Sequence, residues 1–408
     1  MKLRLRALFL VLFAVTSVFA AKFNAHGLKF HTVETEHFII SYMDGTGHLV
    51  KKVASRFEEL YSIYRHTYNI ALPNKTNVVI LDSDESNGWA LHYTNTITLW
   101  THDFDFNMRG SHDWFEDVIA HEYAHIVSMS SAIKTPSVIS DFRIGYFSHP
   151  NEVNRVEAIH SFPSEMLPRW FSEGIAQYES TRNNGDSWDS HRDMIMRSLS
   201  LSNNILSWNH MQVFTGKGDD YEKTYNHGFS LVKYIAETYG YDKVPALLRA
   251  SSKFPRLTFD RSIKEVLGIS GKRLYEDWKK HLEKHYKEQV KNLGTQVYGK
   301  KINKYGYENF WPQFTPDGKG IFFLSNGKSE YGRKMMYLYS LSDTVKEDDK
   351  IKLVKPLGGF YSINAATGKI CYTSPKSRKS ILPPERGGEP VRDIFIDTMP
   401  SGKKPKGL

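Results

Sequence analysis

The chain has 408 residues, 40% apolar and 24% charged, with one cysteine and a formal net charge of +9. That length accommodates two domains and a sizeable core, and the composition excludes a disordered or fibrous chain. The basic excess is local. It sits in Lys2, Arg4 and Arg6 and in residues 300–408, which hold 20 basic against 11 acidic side chains. Residues 21–299 are therefore near neutral, which argues against a nucleic-acid partner and for a solvated basic face in the C-terminal region. The lone Cys371 excludes an intramolecular disulfide and reads as a small buried side chain.

In chain order, Lys2, Arg4 and Arg6 precede an apolar run over 7–18, and Val18-Phe19-Ala20 supplies small residues where a signal peptidase reads. This predicts a signal peptide over 1–20, cleaved after Ala20 or Ala21, and an exported protein of a bacterial periplasm or beyond. A run of roughly twelve apolar residues is too short to span a bilayer about 30 Å thick. No later segment reads as a transmembrane span.

Residues 21–293 predict one α+β domain. Strands are expected over 37–42, 76–81 and 96–100 from their β-branched and aromatic content. Leu49, Val53, Phe57, Leu60 and Tyr64 recur at helical spacing between the first two. The strand at 96–100 is expected at the sheet edge, open to pairing with an extended peptide.

A helix is predicted over 113–129, capped by Ser111 or Asp113, with Glu116 and Asp117 suiting its positive end. It carries His121-Glu122-Tyr123-Ala124-His125. Histidines four apart project from one side of a helix, so both imidazoles reach one tetrahedral ion, with zinc the fitting metal. Glu122 lies about 100° round the helix, placed to take a proton from the attacking water without ligating the metal. Asp117, one turn before His121, is a candidate to orient it, as is a backbone carbonyl. His102, His112, His149 and His160 read as ordinary polar or core histidines.

A second helix is predicted from Pro168 through Trp170-Phe171-Ser172-Glu173-Gly174-Ile175-Ala176-Gln177-Tyr178-Glu179. Glycine inside a helix costs about 1 kcal/mol relative to alanine, so Gly174 predicts close approach of another element. The apolar neighbours of Glu173 predict a buried carboxylate, which requires a cation partner. Leu274, Trp278, Leu282 and Tyr286 mark a last amphipathic helix.

These two segments together resemble the gluzincin metallopeptidases, in particular the peptidase-MA-like group related to the M1 aminopeptidases. The resemblance implies a thermolysin-like zinc peptidase domain with His121, His125 and Glu173 as zinc ligands and Glu122 as general base. Tyr225-Asn226-His227-Gly228 is similar to the family's Tyr-x-x-Gly helix, which implies Tyr225 as the residue stabilising the oxyanion. His227 is a lesser candidate for that role, and a plain packing role for Tyr225 stays open. Two departures stand out. Residues 126–169 form a longer spacer than in M1 enzymes. Asn87-Gly88-Trp89-Ala90 stands where an M1 enzyme has Gly-x-Met-Glu-Asn, which leaves the amine anchor and aminopeptidase specificity open.

A linker over 294–304 precedes a change of character at 305–408. Pro312-Gln313-Phe314-Thr315-Pro316-Asp317-Gly318-Lys319 leads into a strand at 321–325, followed by another at 335–340. Roughly fifty residues on, Thr367-Gly368-Lys369 leads into strands at 370–374 and 393–397, a period of propeller-blade size. The first string closely resembles the repeat of TolB-like β-propellers, which implies all-β blades, about two of them and so an incomplete ring. The reading is thus an exported zinc peptidase acting on peptides or proteins, with a C-terminal region that offers a surface to an envelope protein. The rival is a non-catalytic envelope scaffold with a structural or vestigial zinc site. A zinc hydrolase of a non-peptide amide is a third reading.

Overall fold

The computed structural model describes residues 29–82, 87–101, 113–133, 167–188, 190–212, 220–253, 258–295, 297, 299–303, 309–327, 335–356, 360–364, 366–375 and 392–398. The expected signal segment, Ser111, most of the 126–169 spacer and His102, His112, His149 and His160 lie outside them. The chain divides into two units, Met1–Asn292 and Leu293–Leu408.

The first unit mixes sheet and helix. Strands β1 (Phe30–Glu34), β2 (Phe38–Met43), β3 (Thr76–Leu81), β4 (Gly88–Leu91) and β5 (Thr96–Trp100) form one sheet in the order β1-β2-β3-β5-β4. β2, β3 and β5 run parallel, and β1 and β4 are antiparallel additions at the two edges. Helix α1 (Gly47–Tyr68) makes the crossover from β2 to β3 that a parallel pair requires. Alternate residues Phe38, Ile40, Val78, Ile80, Ile97 and Leu99 are fully buried, the signature of one sheet face turned into a core. Phe38 meets α1 through Phe57, ring centroids 4.9 Å apart, and the next helix through Tyr123 at 5.2 Å.

The expected edge position of 96–100 is corrected by this topology: β5 is an inner strand, paired on one side with β3 and on the other with β4. A short 3₁₀ turn (His92–Thr94) and Asn95, in the left-handed conformation at φ 48°, fold the chain back so that β4 takes the edge. The stretch Asn87-Gly88-Trp89-Ala90 is thus the start of that edge strand.

Helices α2 (Trp114–Ala132), α3 (Arg169–Arg182), α4 (Ser190–Leu201), α5 (Asp220–Tyr239), α6 (Lys243–Ser251), α7 (Phe259–Leu267) and α8 (Gly271–Val290) complete the unit. The stripe Leu274, Trp278, Leu282 and Tyr286 of α8 is buried, as its period predicts. Among the described residues no helix is long and apolar enough to cross a membrane.

The second unit is all-β among its described strands. β6 (Asn309–Phe314), β7 (Gly320–Ser325), β8 (Met335–Ser340) and β9 (Ile351–Pro356) form a four-stranded antiparallel meander. β10 (Tyr361–Asn364), β11 (Lys369–Pro375) and β12 (Arg392–Thr398) form a three-stranded one. The Asp-Gly turn forms as its residues dictate: Asp317 accepts from the Lys319 amide at 3.1 Å and Gly318 takes φ +67°. Gly368 takes φ +64° before β11, the same device in the second set. Phe322, Leu324, Met336, Tyr361, Ile370 and Tyr372 share one cluster across both sheets. Cys371 is half-buried on β11 rather than a core residue. No closed ring of blades occurs among the described residues.

Candidate metal centre

Helix α2 begins where its sequence says it should. Asp113 caps it, accepting from the amides of Phe115 and Glu116 at 3.2 and 3.4 Å. The helix is enclosed on nearly every side, which is why His121, Glu122 and His125 are all buried. Tyr64 of α1 donates to the Ala120 carbonyl at 3.1 Å, and Arg56 of α1 pairs with Glu116 at 2.8 Å. These contacts fix the helix on the side opposite the histidines' neighbours.

Helix α3 starts one residue later than its proline, with Pro168 at the capping position. Trp170, Phe171, Ile175 and Ala176 are fully buried, and Glu173 between them is 6% exposed. Its Oε2 lies 3.1 Å from His125 Nε2 and 3.5 Å from His121 Nε2. Ligand atoms of the three residues all lie within 4.8 Å of one another. A tetrahedral ion with bonds of 2.0–2.1 Å spaces its ligand atoms about 3.3 Å apart, so one oxygen and two imidazole nitrogens at these distances fit such an ion. The donor set, two neutral-capable imidazoles and one carboxylate, suits a zinc ion better than the all-oxygen preference of calcium or magnesium.

The electrostatics agree. Burial pushes the Glu173 carboxyl up, but the adjacent charge of His125 and hydrogen bonds from both imidazoles outweigh it and hold the acid well below the usual carboxylate range. Glu122 goes the other way. Its burial, joined by the charges of Glu173 and Asp117, raises its carboxyl despite the two opposing imidazoles. The two carboxyls are thus pushed in opposite directions, Glu173 down and Glu122 up.

Gly174 meets its predicted neighbour. A Cβ built there would lie 2.5 Å from the Gly228 carbonyl carbon and 2.9 Å from Val232 Cγ2, so α3 and α5 cross backbone to backbone. The crossing carries Tyr225, one turn before Gly228, to the metal group, its ring centroid 5.8 Å from that of His121. Tyr225 is half-buried there. His227 points elsewhere. Its Nδ1 donates to the Lys223 carbonyl at 2.5 Å and its Nε2 accepts from the Leu206 amide at 3.1 Å. With both nitrogens committed and the side chain fully buried, His227 is corrected from a helper of the chemistry to a packing residue.

Two residues escaped the sequence reading. A Cβ on Gly88 would collide with Val118 Cγ2 and lie 3.2 Å from Glu122 Oε1, so only glycine lets edge strand β4 rest against α2 at the general-base candidate. A glycine opening a strand was the available signal. Ser180 donates to Asp117 Oδ1 at 2.8 Å, joining α3 to α2. No sequence signal links residues that far apart.

Residues 153–284 match the family model of the Peptidase MA superfamily. The match lies within the first unit and spans 132 of the 408 residues. The match includes Glu173 and Tyr225 and begins after His121 and His125. No curated protein sequence matches the chain. Among solved structures, an aminopeptidase N family protein from Idiomarina loihiensis is similar at 10% identity with a TM-score of 0.30. The alignment covers 81% of this chain and 66% of that one, so the chain spans just under two thirds of that protein's length. A likeness at that score does not define a common fold.

Proposed function

We propose that the chain is an exported, zinc-dependent peptidase of the gluzincin type. The observation that carries this reading is the single Glu173 oxygen lodged 3.1 and 3.5 Å from two imidazole nitrogens in a buried site. His121, His125 and Glu173 would hold the ion. When bound, zinc supplies a Lewis acid that acidifies water and polarises a carbonyl. Glu122, with its proton affinity raised by burial, takes the proton of the attacking water and delivers it to the leaving amine. The Tyr225 hydroxyl donates to the oxyanion that develops on the scissile carbonyl. Edge strand β4 passes Glu122 at Gly88, and an extended peptide aligns along it.

The basic start, short apolar run and small residues over 2–20 support export to the periplasm or the extracellular space. The meander of β6–β9, its Asp-Gly turn and the second set of strands support propeller-type blades in the second unit. On this assignment the blades present a surface to an envelope protein partner.

The test is metal analysis of the purified protein followed by a peptide-library digest with and without chelator. One equivalent of zinc and chelator-sensitive cleavage are expected. Bound zinc with no peptide cleaved would instead favour the non-catalytic scaffold.

A further inference from the structure

The ligands of the candidate metal site come from two helices with a long intervening segment, residues 133–168, between them. Something must fix α2 against α3 to within a fraction of an ångström, because the two histidines ride on one and Glu173 on the other. The contact between these helices closest in kind to a fastener is polar. Ser180 donates to Asp117 Oδ1 at 2.8 Å, and its hydroxyl lies 3.2 Å from the Asp117 carbonyl oxygen. Ser180 is fully buried and Asp117 is 3% exposed.

Their places on the helices matter. Asp117 stands about one turn before His121, and Ser180 about two turns after Glu173, so each lies close to the helix face that carries its ligand. Serine in a helix interior ordinarily turns its hydroxyl to its own backbone. Here it crosses to the other helix. The turn after α3 then closes over it. The amides of Gly185 and Asp186 donate to the Ser180 carbonyl at 2.8 and 3.3 Å, and a Cβ on Gly185 would press within 2.7 Å of Ser180 Oγ. The glycine leaves the space that the hydroxyl needs.

We infer that Ser180 and Asp117 are positioning residues of the metal site: their hydrogen bond sets the depth at which Glu173 meets His121 and His125. The inference rests on the zinc-site reading above. Neither residue touches substrate or metal. The bond acts on metal affinity by holding the three donors at their spacing, and removing it lets α3 relax so that the Glu173 carboxylate no longer sits between both imidazoles.

The experiment measures zinc affinity of the metal-free full chain by competition with a chromogenic chelator, alongside its thermal unfolding and the visible spectrum of the cobalt form. Ser180→Ala should bind zinc 10- to 100-fold more weakly than wild type, with an altered cobalt spectrum and a Tm of the metal-free protein lowered by only a few degrees. Asp117→Asn keeps the acceptor oxygen and should stay within about threefold of wild type. Zinc affinity of Ser180→Ala within twofold of wild type overturns the inference, even with wild-type zinc binding intact. An Asp117→Asn defect as large as that of Ser180→Ala overturns it too, since the charge and not the hydrogen bond would then matter. Equal zinc affinity of wild type and His125→Ala overturns the zinc-site reading itself, and the inference with it.

Discussion

Gly174 of α3 and Gly228 of α5 meet with no side chain between them. A Cβ built on Gly228 would lie 3.0 Å from the Gly174 nitrogen and 3.1 Å from its Cα, and would collide with the Trp170 carbonyl. The contact puts Glu173 beside one partner of the crossing and Tyr225 one turn from the other. The Glu-Gly and Tyr-x-x-Gly pairs of the sequence are therefore two halves of one helix crossing.

Alanine at either glycine forces the helices apart. Overpacking of this kind costs about 1–3 kcal/mol, which lowers Tm by roughly 3–10 °C in a unit of this size. Thermal unfolding checks it. Because both changes strain the same crossing, the Gly174→Ala/Gly228→Ala double variant should lose less than the sum of the singles.

Tyr225→Phe removes the proposed oxyanion donor and keeps the ring that lies 5.8 Å from His121. Zinc content and Tm should match wild type, while kcat falls about 10²- to 10³-fold with KM little changed. Steady-state kinetics on a cleaved peptide measures this, and a kcat within threefold of wild type would return Tyr225 to a packing role.

Gly88→Ala places a methyl group 3.2 Å from Glu122 Oε1 and into Val118, so the edge strand must retreat or the carboxylate must turn. A displacement near 1 Å at a reacting group costs about 100-fold in rate. The expected result is that loss in kcat/KM with unchanged zinc affinity, since the ligands lie outside the collision.

His227 gives the fold a pH dependence of known sign. Burial depresses its imidazole from 6.5 to about 4, against a smaller opposing pull from the Lys223 carbonyl. The unfolded chain therefore takes up the proton first as pH falls. The stabilisation is fully present above pH 6.5, is lost progressively down to about pH 4, and amounts to about 3 kcal/mol. Urea unfolding at a series of pH values should show this slope, and His227→Gln should flatten it. An equally steep slope in the variant would assign the effect to other groups.

Much of this was legible in the sequence because it rests on local periodicity. The alternation of Phe38 and Ile40 and the stripe through Val53, Phe57, Leu60 and Tyr64 announce their own burial. The histidine pair is legible for the same reason, since residues four apart on a helix share a side whatever the tertiary structure. Glu173 was legible through its apolar neighbours and the glycine that follows. What escaped depends on strand order and on directions across helices. The position of β5 inside the sheet follows from the fold-back at Asn95, which no pattern within 96–100 records. That His227 turns from the site while Tyr225 faces it depends on which side of α5 the Gly174 crossing occupies. Ser180 is an ordinary helix residue until the two helices are laid together, and Asp117, legible only as a neighbour of His121 on its own helix, gains its partner on the other helix there.

Glu122→Gln tests the central claim most directly. The substitution keeps the side chain's size but removes the carboxylate proposed to accept and return the proton, while leaving His121, His125 and Glu173 in place. Zinc content and peptide hydrolysis should be measured on the same preparation of wild type and variant. One equivalent of zinc in both, with hydrolysis by the variant reduced to near background, is the predicted result. A Glu122→Gln protein that cleaves peptides as fast as wild type would contradict the account.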